Sequence, residues 1–123
     1  MLEIKWADKV TKKDIMAAKE YLSLIFGSKE VAAAIEKLEK RCDHIQKFKA
    51  KDVLRASQTQ LLPETNEDVR SEFVKILKQI PLVPIVLVRK SDKLIIADGY
   101  HRACAAYYLN KDIEVHCVVA GIE

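Results

Sequence analysis

The sequence predicts an α+β fold in which a helical hairpin precedes a small mixed sheet with its own helices. Apolar residues recur at the spacing of a helical face in residues 12–26 and again in residues 28–45. Runs of β-branched and other apolar residues at 85–88, 94–97 and 113–119 are typical of strands. The C-terminal half then has the order helix, strand, strand, helix, strand, which defines the class.

The chain length of 123 residues predicts one domain with one modest core. We divide it into the helical hairpin, residues 1–50, and a core, residues 51–123. The net charge of +3 is small, and residues 51–123 contain ten basic and ten acidic residues. Proteins that depend on counterion release to bind DNA carry a stronger basic face, so a DNA partner is not favoured.

The hairpin helices are each bounded by residues that favour helix ends. Thr11 is a suitable N-cap for the first helix, which ends at Gly27, and Ser28 is a suitable cap for the second. Both helices carry an apolar stripe opposite a charged face. The stripes must be covered either by the rest of the domain or by a second subunit, so a homodimer through these helices is one expectation.

The segment between the hairpin and the strands is less regular. Residues 51–55 indicate a short strand or turn, and residues 56–60 a brief helical turn. Asn66 or Thr65 caps a third predicted helix that runs to Ile80 and is ended by Pro81 and Pro84.

The feature with the clearest chemical meaning is the strand-to-helix turn Asp98-Gly99-Tyr100-His101-Arg102. The first backbone N–H groups of a helix have no intrahelical partner, and the helix dipole places partial positive charge beside them. Gly99 removes a Cβ from this position, while His101 and Arg102 add side chains that bind phosphate oxygens. The turn therefore predicts a phosphate-binding site.

A structural explanation of the same residues stays open. Asp98 is a natural N-cap, Gly99 suits a tight turn and Tyr100 suits packing. Arg102 can equally be solvated or held in a salt bridge.

Residues 95–106, Ile-Ile-Ala-Asp-Gly-Tyr-His-Arg-Ala-Cys-Ala-Ala, resemble the signature of the ParB/sulfiredoxin-like superfamily. The segments Leu61-Leu62-Pro63, 69–80, 81–88 and 110–118 look like its preceding helix, proline-marked loop and flanking strands. The resemblance covers roughly residues 51–119. It implies a ParB/sulfiredoxin-like core that binds nucleotide phosphates, with ATP, ADP or CTP and Mg²⁺ as expected cofactors.

The residues of the turn resemble some members of the superfamily more than others. Sulfiredoxins carry a catalytic cysteine directly after the glycine, where this chain has Tyr100, so sulfiredoxin chemistry is not expected. Cys104, one turn further along, is interpreted as a buried structural thiol. We expect no helix-turn-helix module of the ParB type after the last strand. The turn is closest to that of free-serine kinases, which read Asp-Gly-His-His-Arg.

Further site residues are expected on the third helix and before it. Ser71 aligns loosely with a nucleotide-contacting residue of sulfiredoxins, and Arg55 precedes it on a segment that could reach the site or pair with Asp52 or Asp98. The acids at the start of the third helix suit the helix dipole and none is assigned as a catalytic base: Glu64, Glu67 and Asp68.

Other site classes have little support in the sequence. The three cysteines are widely spaced, which fits reduced thiols in the cytoplasm, and no metal site is predicted. No apolar segment is long enough to span a membrane, and we expect no signal peptide because the N-terminus lacks an apolar h-region. Two functions remain open. One is a nucleotide- or phosphate-binding domain, with phosphotransfer or nucleotide hydrolysis as further activities; the other is a non-enzymatic dimeric regulatory or DNA-associated adaptor.

Overall fold

A computed structural model describes residues 2–122 as a mixed α+β structure. Within that range the helices are α1 (Lys12–Leu22), α2 (Ser28–Lys40), α3 (Ala50–Ala56), α4 (Glu67–Leu77) and α5 (Tyr100–Leu109). The strands are β1 (Gln46–Lys49), β2 (Ile85–Lys90), β3 (Lys93–Asp98) and β4 (Glu114–Ile122).

The four strands form one mixed sheet in the order β1-β4-β2-β3. Strands β2 and β3 form an antiparallel hairpin, whose turn places Ser91 at a φ of 55°. Helix α5 then carries the chain back so that β4 pairs with β2 in parallel, with Ile85 opposite Cys117. Strand β1 closes the other edge antiparallel to β4. Because β3 ends where β2 begins, the turn after Asp98 lies beside the loop that enters β2.

The sheet is covered on both faces, and each face has its own hydrophobic core. Helices α3, α4 and α5 pack on one face, against residues such as Leu87 and Cys117. Helices α1 and α2 pack on the other face, against residues such as Val88 and Val118. The apolar stripes of the N-terminal hairpin are therefore covered by the sheet, which is the first of the two alternatives that the sequence left open.

Several boundaries follow from local capping. Thr11 caps α1 and, with Asp14, forms a capping box, and Asn66 caps α4 through hydrogen bonds from the N–H groups of Asp68 and Val69 at 3.0 and 3.1 Å. Both caps were predicted. The prediction for Ser28 is wrong by one residue, because Gly27 is the N-cap of α2 and no side chain caps that helix.

Two short elements differ from the prediction. Residues 51–55, expected as a strand or turn, belong to helix α3, whose buried face of Ala50, Val53 and Leu54 has helical spacing but spans only two turns. The second helix, expected to continue to Ile45, ends at Lys40, and the chain forms β1 from Gln46. Pairing with β4 stabilises β1, and packing against α5 covers the buried face of α3; a single short window reveals neither contact.

Candidate functional site

Gly99 makes the turn between β3 and α5 possible. Its φ is +101°, a left-handed conformation that residues with a Cβ rarely adopt. A Cβ at this position would lie 3.1 Å from Ile85 Cγ1 and 3.3 Å from Arg102 Cζ. The space beside Gly99 is therefore filled by the protein itself, and the predicted approach of a ligand oxygen to the Cα is not available there.

The N-terminus of α5 has no side-chain cap. Gly99 is the N-cap, and the first hydrogen bond of the helix runs from the N–H of Ala103 to the carbonyl oxygen of Gly99 at 3.0 Å. The expectation that Asp98 caps the helix is wrong, because its carboxylate turns to Arg102 instead. The N–H groups of Tyr100, His101 and Arg102 precede the first intrahelical bond, which is the arrangement that favours an anion.

Arg102 is directed into the protein and is only 9% exposed. Its Nη1 donates to the carbonyl oxygens of Val83 and Pro84, the latter at 3.2 Å, and its Nη2 donates to Asp98 Oδ2 at 2.9 Å. The sequence left two structural roles open for Arg102. The salt bridge is confirmed, and the prediction of a solvated side chain is wrong. Arg102 joins the end of β3, the start of α5 and the loop before β2.

Asp98 lies near charged side chains from two other elements, α5 and α1. Burial raises the pKa of its carboxyl, the Arg102 guanidinium opposes that rise, and the nearby Asp14 carboxylate adds to it. Asp14 belongs to the capping box of α1. The N-terminal hairpin therefore contributes a carboxylate directly to the environment of the turn.

His101 and Tyr100 point to different neighbours. His101 Nε2 lies 3.6 Å from Asp68 Oδ2 at the start of α4, and the imidazole is 40% exposed. The Tyr100 hydroxyl donates to the carbonyl oxygen of Gln60, and burial raises its pKa. The His101 imidazole is thus accessible to solvent and ligands, whereas the Tyr100 hydroxyl holds the segment before α4.

A small cleft of about 110 Å³ opens beside Arg102. Its charged walls come from Asp14, Glu72 and Lys75, and Pro81, Leu82 and Val83 complete it. Lys75 Nζ lies 3.5 Å from Glu72, and the lysine side chain is 45% exposed. None of these three charged residues was predicted from the sequence as part of the site. The signal that could have found two of them is the helical spacing of Asp68, Glu72 and Lys75, which puts them on one side of α4.

The two remaining candidates are not joined to the turn by any hydrogen bond or ion pair among residues 2–122. Ser71 is exposed on α4. Arg55 is exposed on α3 and pairs with Asp52 at 3.0 Å, as one of its predicted alternatives states. Cys104 is fully buried, as expected; burial raises the pKa of its thiol, which is unfavourable for nucleophilic chemistry.

No group of three His, Cys, Asp or Glu side chains in residues 2–122 is placed to hold a metal ion. No helix there is both long enough and apolar enough to cross a bilayer.

The chain matches no protein-family model, no curated protein and no solved structure in the comparisons. Its fold and site define it as an α+β protein with a four-stranded mixed sheet and an uncapped helix N-terminus after a left-handed glycine. The resemblance to the ParB/sulfiredoxin-like superfamily stays a prediction.

Proposed function

We propose that this protein binds the phosphate group of a nucleotide, or of another small phosphorylated ligand, at the N-terminus of α5. The observation that carries the proposal is the uncapped turn, in which Gly99 starts α5 without any side chain accepting from its first N–H groups. Free N–H groups and the helix dipole act together on a bound anion. A ParB/sulfiredoxin-like core would use the same turn for the same purpose.

Each residue of the turn has a separate task in this proposal. The N–H groups of Tyr100, His101 and Arg102 donate to phosphate oxygens. The exposed imidazole of His101 supplies a further donor at the rim, and Lys75 supplies a mobile cation from α4. The guanidinium of Arg102 acts from beneath the turn, where it holds the backbone in place.

The charge balance around the turn favours a ligand that brings its own cation. Asp14, Asp68, Glu72 and Asp98 place four carboxyl groups near two basic side chains, Lys75 and Arg102. Such surroundings repel a bare phosphate. A nucleotide complexed with Mg²⁺ fits better, since the metal would be held by the phosphates and needs no preformed protein site. ATP, ADP and CTP with Mg²⁺ are the ligands of choice.

Phosphotransfer or nucleotide hydrolysis would extend the proposal. Either reaction needs a carboxylate that orients or deprotonates the acceptor. Asp68, which lies 3.6 Å from His101, is the carboxylate we would test first. An Asp68→Asn variant that binds nucleotide as the wild type does but turns it over more slowly would support catalysis.

The test of binding is a thermal-shift and calorimetric titration with ATP, ADP and CTP, each with magnesium. We expect at least one of them to raise the unfolding temperature, and His101→Ala and Lys75→Ala to weaken its binding several-fold. Lys40→Ala is the matched control, because Lys40 lies on α2 and pairs with Glu36. A protein that none of these nucleotides stabilises, or equal affinity in all three variants, would overturn the proposal.

The alternative of a dimeric regulatory or DNA-associated adaptor was motivated by the N-terminal helices, with their apolar stripes, and by the lack of an evident catalytic carboxylate. Because the sheet covers those stripes, they no longer require a second copy of the chain. The native mass at tens of micromolar protein, and retention on DNA at low salt, are the measurements that would revive this alternative.

A further inference from the structure

A larger cavity, of about 320 Å³, lies between α4 and the C-terminal half of α5. It is lined by Glu64, Thr65, Val69, Arg70, Phe73 and Tyr108. The lining of this cavity has no residue in common with the lining of the cleft beside Arg102. This cavity is therefore separate from the cleft beside Arg102, and its volume is at the lower end of the range for small-molecule sites.

The inner walls of the cavity are apolar and aromatic. Val69 is buried at the base and Phe73 is half-buried. The Tyr108 hydroxyl donates to the carbonyl oxygen of Leu62 at 2.6 Å, and Tyr107 packs edge-on against the Tyr108 ring at 5.9 Å between centroids. Because the hydroxyl already donates a hydrogen bond, the part of Tyr108 available to a ligand is its ring. Such walls suit a flat, apolar-faced group.

The rim of the cavity carries one side chain that donates hydrogen bonds and one that accepts them. The Arg70 guanidinium can only donate, and the ionised Glu64 carboxylate can only accept. Neither side chain forms an ion pair with any residue in the range 2–122 that the structure describes. A ligand that satisfies both must present acceptors on one edge and donors on another.

We propose that this cavity binds a nucleobase, and that its rim favours guanine. Guanine presents N7 and O6 as acceptors for Arg70. Its N1–H and 2-amino group are adjacent donors, which match the two oxygens of Glu64. Adenine places an unprotonated N1 where guanine has N1–H, so it would face the same carboxylate with a lone pair. The proposal uses no residue of the α5 N-terminus and does not rest on phosphate binding.

The experiment titrates the protein with guanosine, inosine and adenosine, which carry no phosphate, while NMR follows the ring protons of Phe73 and Tyr108. We expect guanosine to bind more tightly than inosine, which lacks the 2-amino group, and inosine more tightly than adenosine. Phe73→Leu should weaken guanosine binding roughly tenfold through lost stacking. Glu64→Gln should remove most of the preference for guanosine over adenosine.

Glu67→Gln is the matched control, since Glu67 is another acid at the start of α4 and does not line the cavity. That variant should bind guanosine as the wild type does. No binding of guanosine at millimolar concentration, equal affinity for adenosine, or binding that survives both Phe73→Leu and Glu64→Gln would overturn the inference. Because the ligands are nucleosides, such a failure would leave the phosphate proposal unaffected.

Discussion

The guanidinium of Arg102 packs directly beside Gly99, so that a Cβ on residue 99 would lie 3.3 Å from Arg102 Cζ. The glycine and the arginine thus depend on each other. Gly99 gives the chain its left-handed turn and leaves room for the guanidinium, while Arg102 fixes the turn to Asp98 and to the loop before β2.

Replacing Gly99 by alanine should destabilise the protein by about 1–3 kcal/mol, because the new Cβ meets both an unfavourable φ and two close neighbours. Urea unfolding followed by circular dichroism measures the change. Gly121→Ala is the control: it lies in β4, and a Cβ there would meet nothing within 4 Å. Equal losses in the two variants would contradict the close contact at Gly99.

Arg102→Lys should lower the free energy of unfolding by about 1–3 kcal/mol, since one ammonium cannot replace a fork that reaches Val83, Pro84 and Asp98 together. Arg41→Lys provides the comparison, because the Arg41 guanidinium donates one hydrogen bond within residues 2–122, to the carbonyl oxygen of Val119 at 3.1 Å. We expect a smaller loss there. If Arg102→Lys unfolds at the wild-type urea concentration, the guanidinium does not hold the turn.

Asp98 makes stability depend on pH in a defined direction. Burial raises the pKa of its carboxyl above the ordinary 3.8, so the folded state binds this proton more tightly than the unfolded state does. The resulting stabilisation is fully present below pH 3.8 and is lost as pH rises through the folded pKa. The Asp98→Asn variant has an amide that does not titrate at this position, so it serves as the reference.

The difference in unfolding free energy, wild type minus Asp98→Asn, should therefore fall as pH increases from 3.8 toward neutrality. Urea titrations at intervals of half a pH unit give this difference directly. A difference that rises over the same range would show that Arg102 outweighs burial at this carboxyl.

Removal of the Trp6 side chain should raise the pKa of His116. The two rings stack with centroids 5.0 Å apart and planes 10° from parallel. Burial lowers the pKa of His116, and Lys47 lowers it further. Trp6→Ala should expose the imidazole and return its pKa toward 6.5, which an NMR titration of the imidazole protons measures. Lys47→Ala should raise the pKa as well, but by less; no change in Trp6→Ala would contradict burial as the main cause.

Much of the fold could be predicted because long elements carry their own periodicity. The stripes of α1 and α4, their caps at Thr11 and Asn66, and the bounds of α5 follow from local patterns. Strand β1 and helix α3 could not be found in this way, because each is shorter than the window that a periodic pattern needs.

The candidate site, too, could be predicted only where its features are local in sequence. The backbone of the turn is predictable, because a glycine between a strand and a helix is a local feature. The direction of Arg102 is not, because its acceptors at Val83 and Pro84 lie 19 and 18 residues earlier in the chain. The same holds for Asp14, which reaches the turn only because α1 packs on β3.

The covering of the sheet by α1 and α2 sets the order in which the molecule can be completed. On the ribosome these helices emerge before β4, which carries Val118, Ala120 and Ile122 of their shared core. The contacts between them join residues far apart in sequence, and such contacts slow folding. Until β4 has emerged, the apolar stripes of the hairpin stay uncovered, and exposed apolar surface of this kind favours aggregation.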